Sequence, residues 1–391
     1  MSANDEILRM HAKHEGVLSI KSEFEVHDKQ DLGELYTPGV AVLSRMLEKD
    51  PDLRYRYTMS GKLVALITDG SAVLGLGDIG PSAGLPVVEG KALLYKDMAG
   101  VDAIPMAIQQ VSVDDFVDTV ANISHSFAGI HLEDIAAPRC FEIEEKLSKR
   151  LDIPVYHDDQ EGTAIVILAA LINAAKVVGK NVRKLRVLIN GAGASGIATA
   201  RLLRAYGIDD LVLVDVHGYV TASDEVYNAY QRAQAGEHRG IEPRAPLGEA
   251  IRGCDVFVGL SVADVLDPAE ISSMAESPIV FALANPKPEI DPRLVPGTKT
   301  AVFATGSSQY PNQVNNVLAY PGLFKGLLAS GLKRVTPGLE VSVASSLARL
   351  VAHPAADRII PGVFDPGVVE AVSQAVSNYV AEEGKHKEDA A

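Results

Sequence analysis

Four carboxylates fall in two adjacent pairs, Glu133 and Asp134 in GIHLEDI and Asp158 and Asp159 in IPVYHDD, each closing a short apolar run that reads as a strand. Like charges side by side repel, and they are costly to hold near a core unless something positive is shared between them. For an isolated Asp-Asp the plainer reading is an exposed turn with Asp as helix cap. Strand carboxyl ends are, however, where sites gather in open α/β sheets, so the two pairs could converge. Three or four carboxylate oxygens meeting at one point suit a hard divalent cation, Mg²⁺ or Mn²⁺, held open for substrate and water.

A second motif lies farther along. RVLINGAGASGIATARLL sets Gly191, Gly193 and Gly196 in G-x-G-x-x-G spacing, after an apolar strand, before an Ala-rich helix, and with Asp215 ending the next strand. Such glycines permit a tight turn and bring backbone amides, those of Ala194 and Ser195 included, to a pyrophosphate at a helix amino terminus. The alternative is a packing turn in a non-binding domain. Asp215 would accept bonds from a ribose hydroxyl, and Val216, His217 and Gly218 offer no Arg or Lys for a 2′-phosphate. NAD is therefore expected over NADP.

These residues need a scaffold, and the pattern is α/β throughout. Before residue 155 the strand candidates are KLVALITDG and GIHLED, with helical KALLYKDMAG between them and VSVDDFVDTVANIS as another helix. From 185 the rhythm is denser: LRVLIN, LVLVDV, CDVFVGLS, PIVFALAN and TAVFATG, with a polar, Ala-rich stretch after the second. Five apolar strands with helical connections predict a parallel sheet covered on both faces. The expected organisation is an amino-terminal substrate and metal domain over 1–155 and a Rossmann-type domain over 156–391. From about 320 a helical segment returns to pack on the rest, and EEGKHKEDAA is expected to fray.

Composition sets bounds. A net charge of −15 argues against nucleic acid or an anionic membrane as partner. Two cysteines cannot make a disulfide framework, and MSANDEILRMHAKHEG lacks a signal-peptide stretch, so a cytoplasmic protein is expected. The run AIVILAALINAA is too short to span a bilayer and is followed by Lys176.

LYTPGVA, TDGSAVLGLGDIG, LPVVEGKALLYK, LEDI, HDDQEGTA, GAGASG, ALANPKPEI and NQVNNVLAYPG, in this order, span most of the chain. Together they resemble the malic enzymes of the short bacterial type. The resemblance implies oxidation of L-malate with NAD(P)⁺ and decarboxylation to pyruvate and CO2, using a divalent metal. It makes Glu133, Asp134 and Asp159 metal ligands, Asp158 a second-sphere or catalytic carboxylate, and Tyr36 and Lys91 the acid and base. It also gives Asn285 and Asn316 to the substrate carboxylate, and Asn285 could reach the nicotinamide end. Physics agrees for Lys91: in an apolar helical run near a metal its ammonium form could be disfavoured, unlike that of Lys62 or Lys96. On spacing alone, Tyr36 would be a packed aromatic and Lys91 a solvent-reaching side chain.

One departure concerns substrate grip. Larger members carry an Arg shortly before the LGLGD run, and here SAV stands there, with Ala72 the nearest match, so no bidentate clamp is available at that place. The family further implies a homodimer or higher homo-oligomer, with Tyr36 open to being supplied across the interface. Rival readings are malolactic conversion or plain oxaloacetate decarboxylation on the same scaffold, and, from another class, a nucleotide-sensing protein without catalysis.

Overall fold

The computed structural model describes residues 3–236 and 240–389. A first sheet is built from β1 (Leu63–Thr68), β2 (Asp102–Ala107), β3 (Gly129–Glu133) and β4 (Val155–His157), all parallel, in the order β2-β1-β3-β4. Every residue of β1, β3 and β4 is buried. That is why LVALIT and GIHLE read as continuous rather than alternating runs: helices cover both faces. β2, DAIPMA, was not expected as a strand. It lies on the sheet edge, where Pro105 can sit without removing a ladder bond from a central strand.

The second sheet comprises β5 (Val187–Asn190), β6 (Leu211–Asp215), β7 (Gly218–Tyr219), β8 (Val256–Gly259), β9 (Ile279–Ala282) and β10 (Val302–Thr305), in the order β10-β9-β8-β5-β6-β7. Five of these strands are parallel, as the apolar runs predict, and the two-residue β7 adds an antiparallel edge hidden in the polar stretch after Asp215. Strand order reverses around β5, so the crevice at its carboxyl end is the switch point where ligands bind in such sheets.

Helix Gly80–Leu94 starts well before KALLYKDMAG, because Pro81 in its first turn is tolerated there, and a wide π-type turn, Tyr95–Ala99, ends it. A second wide turn, Asp158–Gly162, leads from β4 into helix Thr163–Val177, in which Ala164 through Ala175 are buried. Turn and helix together reach 20 residues, long and apolar enough by composition to cross a bilayer, yet 83% of their most apolar 18-residue window is buried inside the fold. Each Leu or Ile so buried contributes about 1.5–3 kcal/mol. Its cover is helix Ala194–Tyr206 of the second unit and helix Pro337–Arg349 of the carboxyl-terminal segment.

The carboxyl-terminal segment does return. Helix Tyr320–Ser330 packs on helix Val368–Asp389, with Gly322 and Gly326 letting Val372 and Val376 approach closely. It also sends Phe324 against Tyr95 and His131 of the first unit. The expected fray from 382 is instead helix as far as Asp389; residues 390–391 lie outside the described residues.

Candidate active site

Parallel order brings the carboxyl ends of β1, β3 and β4 side by side, and the acidic pairs follow β3 and β4 there. β3 carries Glu133, and Asp134 follows in the left-handed region at φ 55, a conformation few side-chain-bearing residues adopt and one that clusters at functional sites. On the β4 side, the wide turn places Asp158 and Asp159. A Cβ on Gly162 would collide with Asp158 Oδ1 and Tyr156 Oη, so this turn closes only over glycine.

Lys91, from helix Gly80–Leu94, reaches into this group. Its Nζ donates to Glu133 Oε2 at 2.6 Å and to Asp158 Oδ2. Tyr156 Oη donates to Asp158 Oδ1 at 2.7 Å, and the Asp134 amide donates to Asp159 Oδ2 at 2.8 Å. Behind them, Tyr95 Oη bonds His131 Nδ1 at 2.8 Å, and His131 Nε2 stands 3.0 Å from Glu133 Oε2. Burial pushes His131 down to about 3, so its imidazole is neutral.

The electrostatics are strained in one direction. Burial, then the Glu133 and Asp159 charges, push Asp134 up to about 8. Burial also raises Glu133 and Asp159. Burial by itself would lower the Lys91 ammonium, but the Asp158 and Glu133 charges outweigh it and hold the group well above the usual lysine range. This differs from the expectation that the ammonium is disfavoured: an apolar sequence neighbourhood does not reveal two carboxylates arriving from other strands.

The group fits a hard divalent cation. Ligand oxygens of Glu133, Asp134 and Asp159 all lie within 4.8 Å of one another, as do ligand atoms of His131, Glu133 and Asp158. Asp134 Oδ2 is buried without a hydrogen-bond partner. A positive centre would satisfy that oxygen and offset the charges of the neighbouring carboxylates.

The second site is a cleft of about 760 Å³ at the carboxyl ends of β5 and β6. Gly191 and Gly193 line it, with Asp215 opposite. Gly191 has φ 120, and a Cβ there would strike Leu260 O, so the turn requires glycine. Helix Ala194–Tyr206 starts at the fingerprint, aiming its first amides, those of Ala194, Ser195 and Gly196, at the cleft. Asp215 is fixed in place: its Oδ1 accepts from the His217 amide at 2.8 Å and its Oδ2 from Gln231 Nε2 at 3.2 Å. Ser195 Oγ donates to the Asp159 carbonyl at 2.8 Å, tying fingerprint to acidic turn.

Other expected residues are placed differently. Asn285 follows β9, beside Gly306 and next to Gly75 of the LGLGD loop. Asn316 opens the short helix Asn316–Leu318, directly before Tyr320. Neither bonds the acidic group. Tyr36 ends helix Lys29–Leu35 with 65% of its surface exposed, and its side chain has no hydrogen-bond or ion-pair partner among the described residues.

Three features were not singled out from sequence. Tyr320 is buried with its ring centre 5.1 Å from Lys91 Nζ and its hydroxyl unpartnered. His131 sits two residues before Glu133, on the same strand face, a period-two signal that could have found it. Arg139, the cation nearest the SAV loop in bonding terms, is committed to Asp69 and to Val111 O.

Comparison with known proteins agrees in both halves. Residues 15–112 and 108–148 match the description "Malic enzyme, N-terminal domain", and residues 160–384 match "Malic enzyme, NAD binding domain". The chain is 44% identical to the bifunctional malic/malolactic enzyme of Bacillus subtilis, over 98% of this chain and 94% of that protein. It is 42% identical to the NAD-dependent malic enzyme of Geobacillus stearothermophilus, over 100% and 81%. Among solved structures, the malic enzyme of Pyrococcus horikoshii superposes with a TM-score of 0.94 at 39% identity, covering 98% of this chain and 92% of that one. The NAD-dependent malic enzyme of Thermotoga maritima gives 0.91 at 40% identity, covering 96% and 99%.

Proposed function

The chain belongs to the malic enzyme family, and from that premise we propose that it oxidises L-malate to pyruvate and CO2 with NAD⁺, using Mg²⁺ or Mn²⁺ held by Glu133, Asp134 and Asp159. The observation that carries the site assignment is the convergence of Lys91 with four carboxylates from two strand ends. When bound, the cation supplies Lewis-acid polarisation of the substrate's C2 oxygen.

The chain's own residues do the rest. Lys91 accepts the C2 hydroxyl proton as hydride leaves C2 for the nicotinamide, which requires the neutral amine. Burial favours that form and the Asp158 and Glu133 charges oppose it; a cation held by Glu133 would weaken part of that opposition. Asp158, held by Tyr156, keeps Lys91 aimed. Asn285 and Asn316 are assigned to the substrate carboxylate in place of the absent arginine.

Tyr36 is assigned as the acid that protonates C3 after CO2 leaves. It stands exposed, together with Leu32, Leu35, Val42 and Leu43 on the neighbouring helices. We therefore place it in the site of a second copy, within a homodimer or larger homo-oligomer. Mixing the separately inactive Tyr36→Phe and Lys91→Ala proteins in equal amounts under exchange conditions should then restore up to about one quarter of wild-type activity, because about half of the dimers are mixed and each mixed dimer carries one intact site of two. No recovery would keep Tyr36 within its own chain or remove it from catalysis.

The whole reading is tested by following nicotinamide reduction with L-malate and Mn²⁺ against an EDTA control, with pyruvate and lactate assayed at the end. Metal-dependent reduction with matching pyruvate is expected. Lactate formed without net reduction would instead establish malolactic conversion, the second reading, which the name of the Bacillus subtilis relative favours.

A further inference from the structure

In the cleft that holds Asp215, one basic side chain arrives from far along the sequence. Among the described residues lining it, Arg244 is the single Arg or Lys. Its backbone is pinned beside β7: the Arg244 amide donates to Tyr219 O at 3.2 Å, Ala245 O accepts from the Tyr219 amide at 2.9 Å, and Gly218 is left no room for a Cβ by Arg244 O. That holds Arg244 beside β7, whose Gly218 pairs with Asp215, in a left-handed backbone conformation at φ 60. A guanidinium there would be well placed to grip a phosphate on the adenosine ribose, contrary to what Val216, His217 and Gly218 suggest when read alone.

The guanidinium is already engaged. Arg244 Nε donates to Asp224 Oδ2 at 2.5 Å and Nη2 to Asp224 Oδ1 at 2.8 Å, a two-point ion pair. Asp224 is itself fixed, since Oδ1 also accepts from the Val226 amide at 3.1 Å, and its side chain is only 14% exposed. Arg244 is the looser partner, 56% exposed. So the cleft offers Asp215, a carboxylate that repels a 2′-phosphate, and withholds the cation that would attract one.

We propose that Asp224 is a cofactor-specificity residue: by holding the Arg244 guanidinium in a two-point pair it keeps that cation from a ribose 2′-phosphate. The inference deepens the NAD reading given above and rests on the cleft being the dinucleotide site. It does not require Asp224 to touch the cofactor.

The test compares kcat/KM for NAD⁺ and NADP⁺ in the wild type, Asp224→Asn, Arg244→Ala and the double variant, with malate and Mn²⁺ saturating. Asparagine keeps the Oδ1 acceptor for the Val226 amide, so the loop is retained, and thermal melts check it. Asp224→Asn should raise efficiency with NADP⁺ about tenfold, the scale of one charge-assisted arginine contact to phosphate, and the gain should vanish when Arg244→Ala is added. Binding of adenosine 2′,5′-bisphosphate against AMP should follow the same pattern without turnover. An Asp224→Asn protein whose NADP⁺ efficiency and bisphosphate affinity stay within twofold of wild type overturns the inference. The wild-type cofactor ratio answers a different question: a preference for NADP⁺ there overturns the NAD reading, while the Arg244-dependent gain still decides the role of Asp224.

Discussion

Lys91→Ala is expected to cut kcat/KM for malate oxidation by about a thousandfold, the range lost when a positioned base is removed, while NAD⁺ affinity stays nearly unchanged. The separation of effects follows from geometry. Lys91 meets Glu133 and Asp158 at the first sheet, whereas the cofactor cleft is lined from β5 and β6 in the second. Alanine also leaves the two carboxylates facing each other without their cation, so the comparison belongs in saturating Mn²⁺, where folding does not confound it. Lys96→Ala is the control: Lys96 pairs with Asp102 at the exposed edge and should retain wild-type turnover. A Lys91→Ala enzyme within tenfold of wild type would remove Lys91 as the base.

Stripping divalent cation should abolish turnover and lower Tm, and the Tm loss should grow from pH 6 to pH 8.5. The sign comes from the carboxyls. Asp134 is raised from 3.8 to about 8 by burial first and then by Glu133 and Asp159. An acid that holds its proton more tightly folded than unfolded contributes fully below its unfolded value, and that contribution is lost as pH rises through the folded one. The metal-free fold therefore weakens across the interval from 3.8 to about 8, where a cation can replace the protons. At a hundredfold excess over Kd the cation is worth about 2.7 kcal/mol. Asp159→Asn should blunt both the Mn²⁺-induced rise and the metal response of activity. A Mn²⁺-induced shift of equal size at both pH values would mean that the carboxyls are not what the cation relieves.

Features written in contiguous residues were legible in the sequence. The acidic pairs, the glycine fingerprint and the apolar strands each carry their signal locally, and the ordered motifs carried the family. What escaped is what several elements make together. β2 was masked by Pro105, tolerated on an edge, and β7 is two residues long. The charge on Lys91 depends on Glu133 and Asp158, 42 and 67 residues away. Arg244 lines the cleft with Asp215 although it is distant in sequence, its amide bonded to Tyr219 of the edge strand β7, so reading the residues next to Asp215 missed it.

Helix Thr163–Val177 has a consequence for how the protein is made. Its apolar surface is closed by helix Pro337–Arg349, which leaves the ribosome roughly 160 residues after Val177, on the order of ten to thirty seconds at usual elongation rates. Over that interval the nascent chain carries a greasy central rod that its amino-terminal half alone cannot sheathe. Completion of the core thus waits until helix Pro337–Arg349 has been translated, and a chain stopped before it would present to chaperones and proteases a segment that the finished fold buries.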